Sequence, residues 1–154
     1  MNGDFDYQVD FALLTWPAHS GYFAALDAFF AGGAIARSSA RWDPPYDEQY
    51  NSWANTNPFQ SAQVSSTDAS GAFRLVRTNG ILTSYFRAPS GSWTQLLNAE
   101  ATGGTSVYGM GLSVQARDFA HLDGSVAYDN FRLNSGVLSC PSWWRDFAPD
   151  IGRG

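Results

Sequence analysis

Aromatic rings set among amides and carboxylates are the side chains of this protein best suited to chemistry, and they concentrate between Arg41 and Phe59. Trp42, Tyr46, Tyr50 and Trp53 lie there among Asp43, Asp47, Glu48, Asn51, Asn55 and Asn57. A flat ring stacks on the apolar face of a pyranose while neighbouring Asp, Asn and Arg groups bond its hydroxyls, so the chemistry expected is recognition of a polysaccharide or glycan. Trp42, Tyr46, Tyr50 and Trp53 are the candidate platforms, with Asp47 and Asn51 as hydroxyl partners. Proteins built from β-sheets also place such rings in their cores, so burial decides which role each one has. Arg74, Thr83 and Tyr85 form a second candidate surface, for which the competing reading is an ordinary polar strand face with an Arg-Tyr cross-strand pair. Asp129, with Asp4 or Asp6, could supply carboxylates to a structural calcium ion, or Asp129 and Asn130 could simply bond backbone at a strand pairing.

Signatures of catalysis are missing. The only two Glu residues are Glu48, in the aromatic stretch, and Glu100, in an expected turn. His19 and His121 fall in expected loops, and neither a G-x-S-x-G elbow nor a phosphate-binding glycine motif occurs. Cys140 is alone, which excludes an intrachain disulfide and leaves a cysteine-based metal site without its other ligands.

The elements that must position these residues are strands. Asn79-Gly80 tolerates positive φ at both central positions of a two-residue turn and so predicts a hairpin. Its register sets Thr78 opposite Ile81, Arg77 opposite Leu82, Val76 opposite Thr83, Leu75 opposite Ser84, Arg74 opposite Tyr85 and Phe73 opposite Phe86. Phe73, Leu75, Leu82 and Phe86 make the core face, with Arg77 on it near the turn, and Arg74 and Tyr85 lie on the other. Asp4 to Thr15 alternates apolar and polar residues with a period of two, and Tyr22 to Phe30, Ala34 to Trp42, Val107 to Gln115 and Val126 to Leu133 read as further strands. Pro89-Ser90-Gly91 turns the chain back through Leu96 and Trp93, the latter assigned to the core. Arg41 to Phe59 reads as a long loop around one short strand, bounded by Pro44-Pro45 and Pro58.

At 154 residues the chain suits one domain able to bury roughly two thirds of its unfolded surface. Six Trp, seven Tyr and eleven Phe, with 15 Gly and 7 Pro as punctuation, make an all-β composition. A net charge of -5 argues against a nucleic-acid partner. No run approaches about 18 apolar residues, so no membrane span is expected, and no signal peptide is evident. The expected organisation is one domain over residues 1–136 and a C-terminal tail, 137–154, partly docked through Trp143, Trp144 and Phe147.

The order GDFDYQVDF, FRLVRTNGILTSYFRAPSGSW, VYGMGLSVQAR and VAYDNFRLNSG resembles the concanavalin-A-like lectin/glucanase (laminin-G-like) jelly rolls of many bacterial secreted proteins, over about Gly3 to Gly136. The resemblance implies a two-sheet antiparallel jelly-roll sandwich in an extracellular or cell-surface setting, often with carbohydrate bound on or beside the concave sheet. In similar domains the Asp of the closing V-x-Y-D-N-F strand sometimes holds calcium or caps a turn. Glucanases of this kind carry Glu and Asp alternating on one strand, and this chain has no E-x-D pattern. The leading expectation is therefore a non-catalytic carbohydrate-binding accessory module of a larger protein. The alternatives are a structural or self-assembling adhesion subunit and a glycan-active enzyme with an unfamiliar pair of ionisable groups. Relatives usually carry a strand or two ahead of the segment matching Gly3-Asp4-Phe5. Their absence predicts an open sheet edge near Val126 to Leu133 or Asp4 to Leu14, covered either by the Val137 to Phe147 tail or by a second subunit through self-association.

Overall fold

Asn79 and Gly80 both take positive φ, 51° and 80°, in the computed structural model, and the hairpin they close has the six pairs that the turn dictates. The structure describes residues 3–17, 22–30, 35–42, 48–55, 58–100, 107–116 and 123–137, with backbone alone for 35–42, 107–109 and 115–116. Ten strands are described: β1 Phe5–Thr15, β2 Tyr22–Phe30, β3 Ile35–Trp42, β4 Glu48–Ala54, β5 Gln60–Ser65, β6 Ser70–Thr78, β7 Ile81–Arg87, β8 Thr94–Glu100, β9 Val107–Ala116 and β10 Ser125–Ser135. They form two five-stranded antiparallel sheets, β10-β1-β6-β7-β8 and β5-β4-β3-β2-β9, so the fold is the expected all-β sandwich. The opening strands pair with the closing ones in nested order, β1 with β10 and β2 with β9, which is how a jelly roll winds. Among the described residues no helix is long and apolar enough to cross a membrane.

The core follows from alternation. Phe5, Tyr7, Val9 and Phe11 of β1 point inward with Phe73 and Leu75 of β6 and Leu82 of β7, against Leu26, Ala28 and Phe30 of β2 and Tyr50 and Ala54 of β4. Phe11 and Phe73 stack at 4.3 Å between ring centres. Burying each large side chain of this kind contributes about 1.5–3 kcal/mol. Arg77 is carried inward by the same alternation, and its guanidinium lies 5.7 Å from the ring centre of Phe30.

Two tyrosines tie the layers together. The Tyr7 hydroxyl donates to the Asp27 carbonyl oxygen (3.0 Å), and burial, followed by the Asp27 charge, holds it protonated well above the ordinary range. The Tyr128 hydroxyl, from β10, enters the β2–β9 ladder, accepting from the Ala25 N–H (2.9 Å) and donating to the Ser113 carbonyl (2.8 Å).

Three expectations need correction. Arg41 to Phe59 holds the one strand expected in it, β4, which is seven residues long and paired on both sides, but Arg41 and Trp42 belong to β3, and β5, a strand not expected, begins at Gln60. Of the two segments expected near an open edge, Val126 to Leu133 does end its sheet among the described residues, as β10, whereas Asp4 to Leu14 does not, because β1 is hydrogen-bonded to β10 on one side and β6 on the other. Trp93 is not in the core but half-buried on the outer face of the β10-β1-β6-β7-β8 sheet, against two arginines. The tail beyond residue 137 lies outside the described residues.

Candidate functional site

Strand β4 sorts the aromatic candidates by parity. Tyr50 and Ala54 face the core, so Gln49, Asn51 and Trp53 belong to the opposite face of the β5-β4-β3-β2-β9 sheet. Register brings Ser61 of β5 opposite Trp53 and Gln63 opposite Asn51. Phe59, just ahead of β5, packs beside Trp53 with ring centres 6.3 Å apart and planes tilted by 31°. Phe59 is 61% exposed, an unusual position for a large apolar ring. These residues, with Asn55 and the buried Phe23 of β2, line a groove of about 380 Å³. That volume falls within the range of small-ligand sites, roughly 300–1,000 Å³. The described lining is two accessible rings, three amides and a hydroxyl. Each amide both donates and accepts, as a sugar hydroxyl does.

Of the sequence candidates, Trp53 and Asn51 therefore meet in one groove. Tyr50 does not. Only 2% exposed, it stacks on Phe86 at 4.1 Å and meets Phe11 and Phe73 edge-on, while its hydroxyl donates to Asp68 Oδ2 at 3.0 Å. Burial, and then Asp68, push that hydroxyl's pKa far up. The side chain of Trp42, which ends β3 opposite Glu48, and all of Tyr46 and Asp47 lie outside the described residues. Phe59, Asn55, Ser61 and Gln63 were not among the candidates. An exposed Phe next to a Pro was the available signal, but its pairing with Trp53 depends on β5.

Arg74 and Tyr85 are where the hairpin register puts them, and the cross-strand reading describes them. The Arg74 guanidinium clasps Asp6 through two bonds (2.8 and 2.6 Å) and lies 5.5 Å from the Tyr85 ring centre and 5.7 Å from that of Trp93. The Arg87 guanidinium lies 5.0 Å from the Trp93 ring centre and reaches Asp10 (3.0 Å) across the small Ala72 that separates them in register. Asn134 and Asn130 of β10 donate to Asp6 and Asp10. The face is a braced polar network.

The carboxylates offered for calcium, Asp129 with Asp4 or Asp6, are not brought together but are each engaged elsewhere. Asp4 Oδ1 accepts from the Asn79 N–H of the hairpin turn, Asp6 is held by Arg74, and Asp129 Oδ1 accepts from the N–H of Asn130, whose φ is 52°. Register places Asp129 opposite Asp10 rather than Asp6. Among the described residues no three His, Cys, Asp or Glu side chains gather as a metal would require.

The Asp6 pair gives a pH prediction. Burial raises the Asp6 carboxyl, but the bonds from Arg74 and Asn134 and the Arg74 charge outweigh it and hold it below the usual carboxylate range. A depressed folded pKa stabilises fully above the unfolded value, about pH 4, and that stabilisation drains away as pH falls through the folded value. Urea unfolding of wild type and Asp6→Asn is expected to show a stability gap at pH 7 that narrows progressively as pH falls below the ordinary carboxylate value of about 4. A gap of constant size would contradict this account.

No protein-family model and no curated protein matches this chain. Its structure is similar to that of a functionally unknown protein from Saccharomyces cerevisiae, with a TM-score of 0.65 at 11% identity over 90% of this chain and 72% of the other. At that identity the likeness is one of fold.

Proposed function

We propose that this chain is a non-catalytic, lectin-like carbohydrate-binding module of a larger secreted or surface protein, and that a glycan lies in the Trp53 groove. The observation that carries the reading is the Trp53–Phe59 pair, accessible from the groove and ringed by Asn51, Asn55, Ser61 and Gln63. Ring faces take the C–H face of a sugar, and the amides take its hydroxyls.

Affinity electrophoresis through gels of several polysaccharides, followed by a glycan array, tests this. At least one polysaccharide is expected to retard the protein, and Trp53→Ala and Phe59→Ala are each expected to weaken retention tenfold or more, a loss of about 1.4 kcal/mol. Because both rings lie outside the core, the variants should unfold near the wild-type midpoint. Failure of every polysaccharide to retard the protein, or retention that ignores both substitutions, rejects the groove.

The alternative, a structural or self-assembling unit, has an observation of its own. Strand β9 is the outermost strand of its sheet among the described residues, and its Leu112 and Val114 are exposed.

A further inference from the structure

Four strands end the two sheets among the described residues, and their chemistry differs. Strand β10 carries Asp129 and Arg132 and is broken by three register shifts and a positive φ at Asn130. Strand β8 ends in Glu100 and has a shift in its pairing with β7. Strand β5 is only six residues long. These are the devices that keep an edge from pairing with another chain.

Strand β9 has none of them over most of its length. It runs for ten residues, VYGMGLSVQA, without a charge or a proline, and its register with β2 shifts only beside Phe30. Met110, Leu112 and Val114 stand opposite Ala28, Leu26 and Ala24, so they share the face that looks into the sandwich. Yet Leu112 is 45% exposed and Val114 41% exposed. Inward-facing apolar residues remain open to water because no described strand lies beyond β9 to close the layer.

We infer that β9 is a homodimerisation edge, pairing antiparallel with β9 of a second copy across a two-fold axis. The choice of a second copy rests on charge. Two-fold pairing sets a strand against itself, so any charge near the axis would meet its like, and β9 carries none. Leu112 and Val114 of each copy would then cover one another. The result is one ten-stranded sheet, with β4 and its counterpart seven strand spacings apart, roughly 34 Å. The two Trp53 grooves stay at the far ends, clear of the contact. The inference stands without the glycan reading.

Sedimentation velocity of the full chain, from low to high micromolar and with reductant present to silence Cys140, is the test. A reversible dimer is expected, and Leu112→Lys and Val114→Lys should each weaken it at least tenfold while keeping the far-ultraviolet β signature. Should both variants misfold, hydrogen exchange of the wild type decides: amides of β9 that point away from β2 should slow at dimer concentrations and exchange freely in dilute solution. A monomer throughout, a dimer that survives both lysines, or β9 exchange independent of concentration overturns the inference.

Discussion

Tyr50→Ala is expected to lower the free energy of unfolding by about 3–5 kcal/mol, the range for deleting a large ring from a packed interior. The ring spans the sandwich, stacked on Phe86 and edge-on to Phe11 and Phe73, so its removal opens a hole against both sheets. Tyr50→Phe keeps the ring and gives up the hydroxyl with its bond to Asp68, at a cost of about 0.5–1.5 kcal/mol. Chemical unfolding measures both. The pattern should be the reverse of that at Trp53, two residues along the same strand: Tyr50→Ala loses stability while its folded fraction keeps ligand, and Trp53→Ala keeps stability while losing ligand. A Tyr50→Ala protein as stable as wild type would refute the core placement.

Gly71→Ala is expected to cost about 3 kcal/mol, the upper end of overpacking penalties. The glycine is required by space rather than by torsion. A Cβ there would sit 2.5 Å from the Arg87 carbonyl oxygen, 2.8 Å from the Tyr50 hydroxyl and 3.2 Å from the Phe11 ring. The Tyr50 hydroxyl could swing aside by surrendering Asp68, but the Arg87 oxygen is backbone next to the β6–β7 ladder and yields only if that ladder opens. A thermal midpoint several degrees below wild type should follow, since about 1 kcal/mol moves a domain of this size by roughly 2–4 °C. An unchanged midpoint would mean that the two strands do not approach this closely.

How much of this could be read from the sequence depended on whether local chemistry fixed a register. Asn79-Gly80 did, and every pair of the β6–β7 hairpin followed, including the inward course of Arg77 and the meeting of Arg74 with Tyr85. The long alternation from Phe5 to Leu13 likewise revealed a half-buried strand. In the aromatic stretch no turn of known type pins β4, and with a period of two a one-residue uncertainty exchanges the inner and outer sets. Tyr50 and Trp53 were therefore indistinguishable as platforms. Strand β5, QSAQVS, is mostly exposed and polar, so no apolar rhythm announces it, and Phe59 and Gln63 were lost with it. Residue type alone points Trp93 inward, but two guanidiniums give its ring cover on the outer face.

The nesting of β1 against β10 also governs how the molecule is made. Asp6 finds Ser135, and Leu13 finds Val126, across nearly the full sequence length of the sandwich. A ribosome therefore releases the first strand long before its outer neighbour exists, and even its inner neighbour, β6, waits for residues 70–78. Such distant closures are entropically slow, and until they occur the nascent FDYQVDFALLT segment presents bare amide edges and five apolar side chains at alternate positions. Biogenesis, more than equilibrium stability, is the stage at which this architecture is exposed to misassembly and to rescue by chaperones.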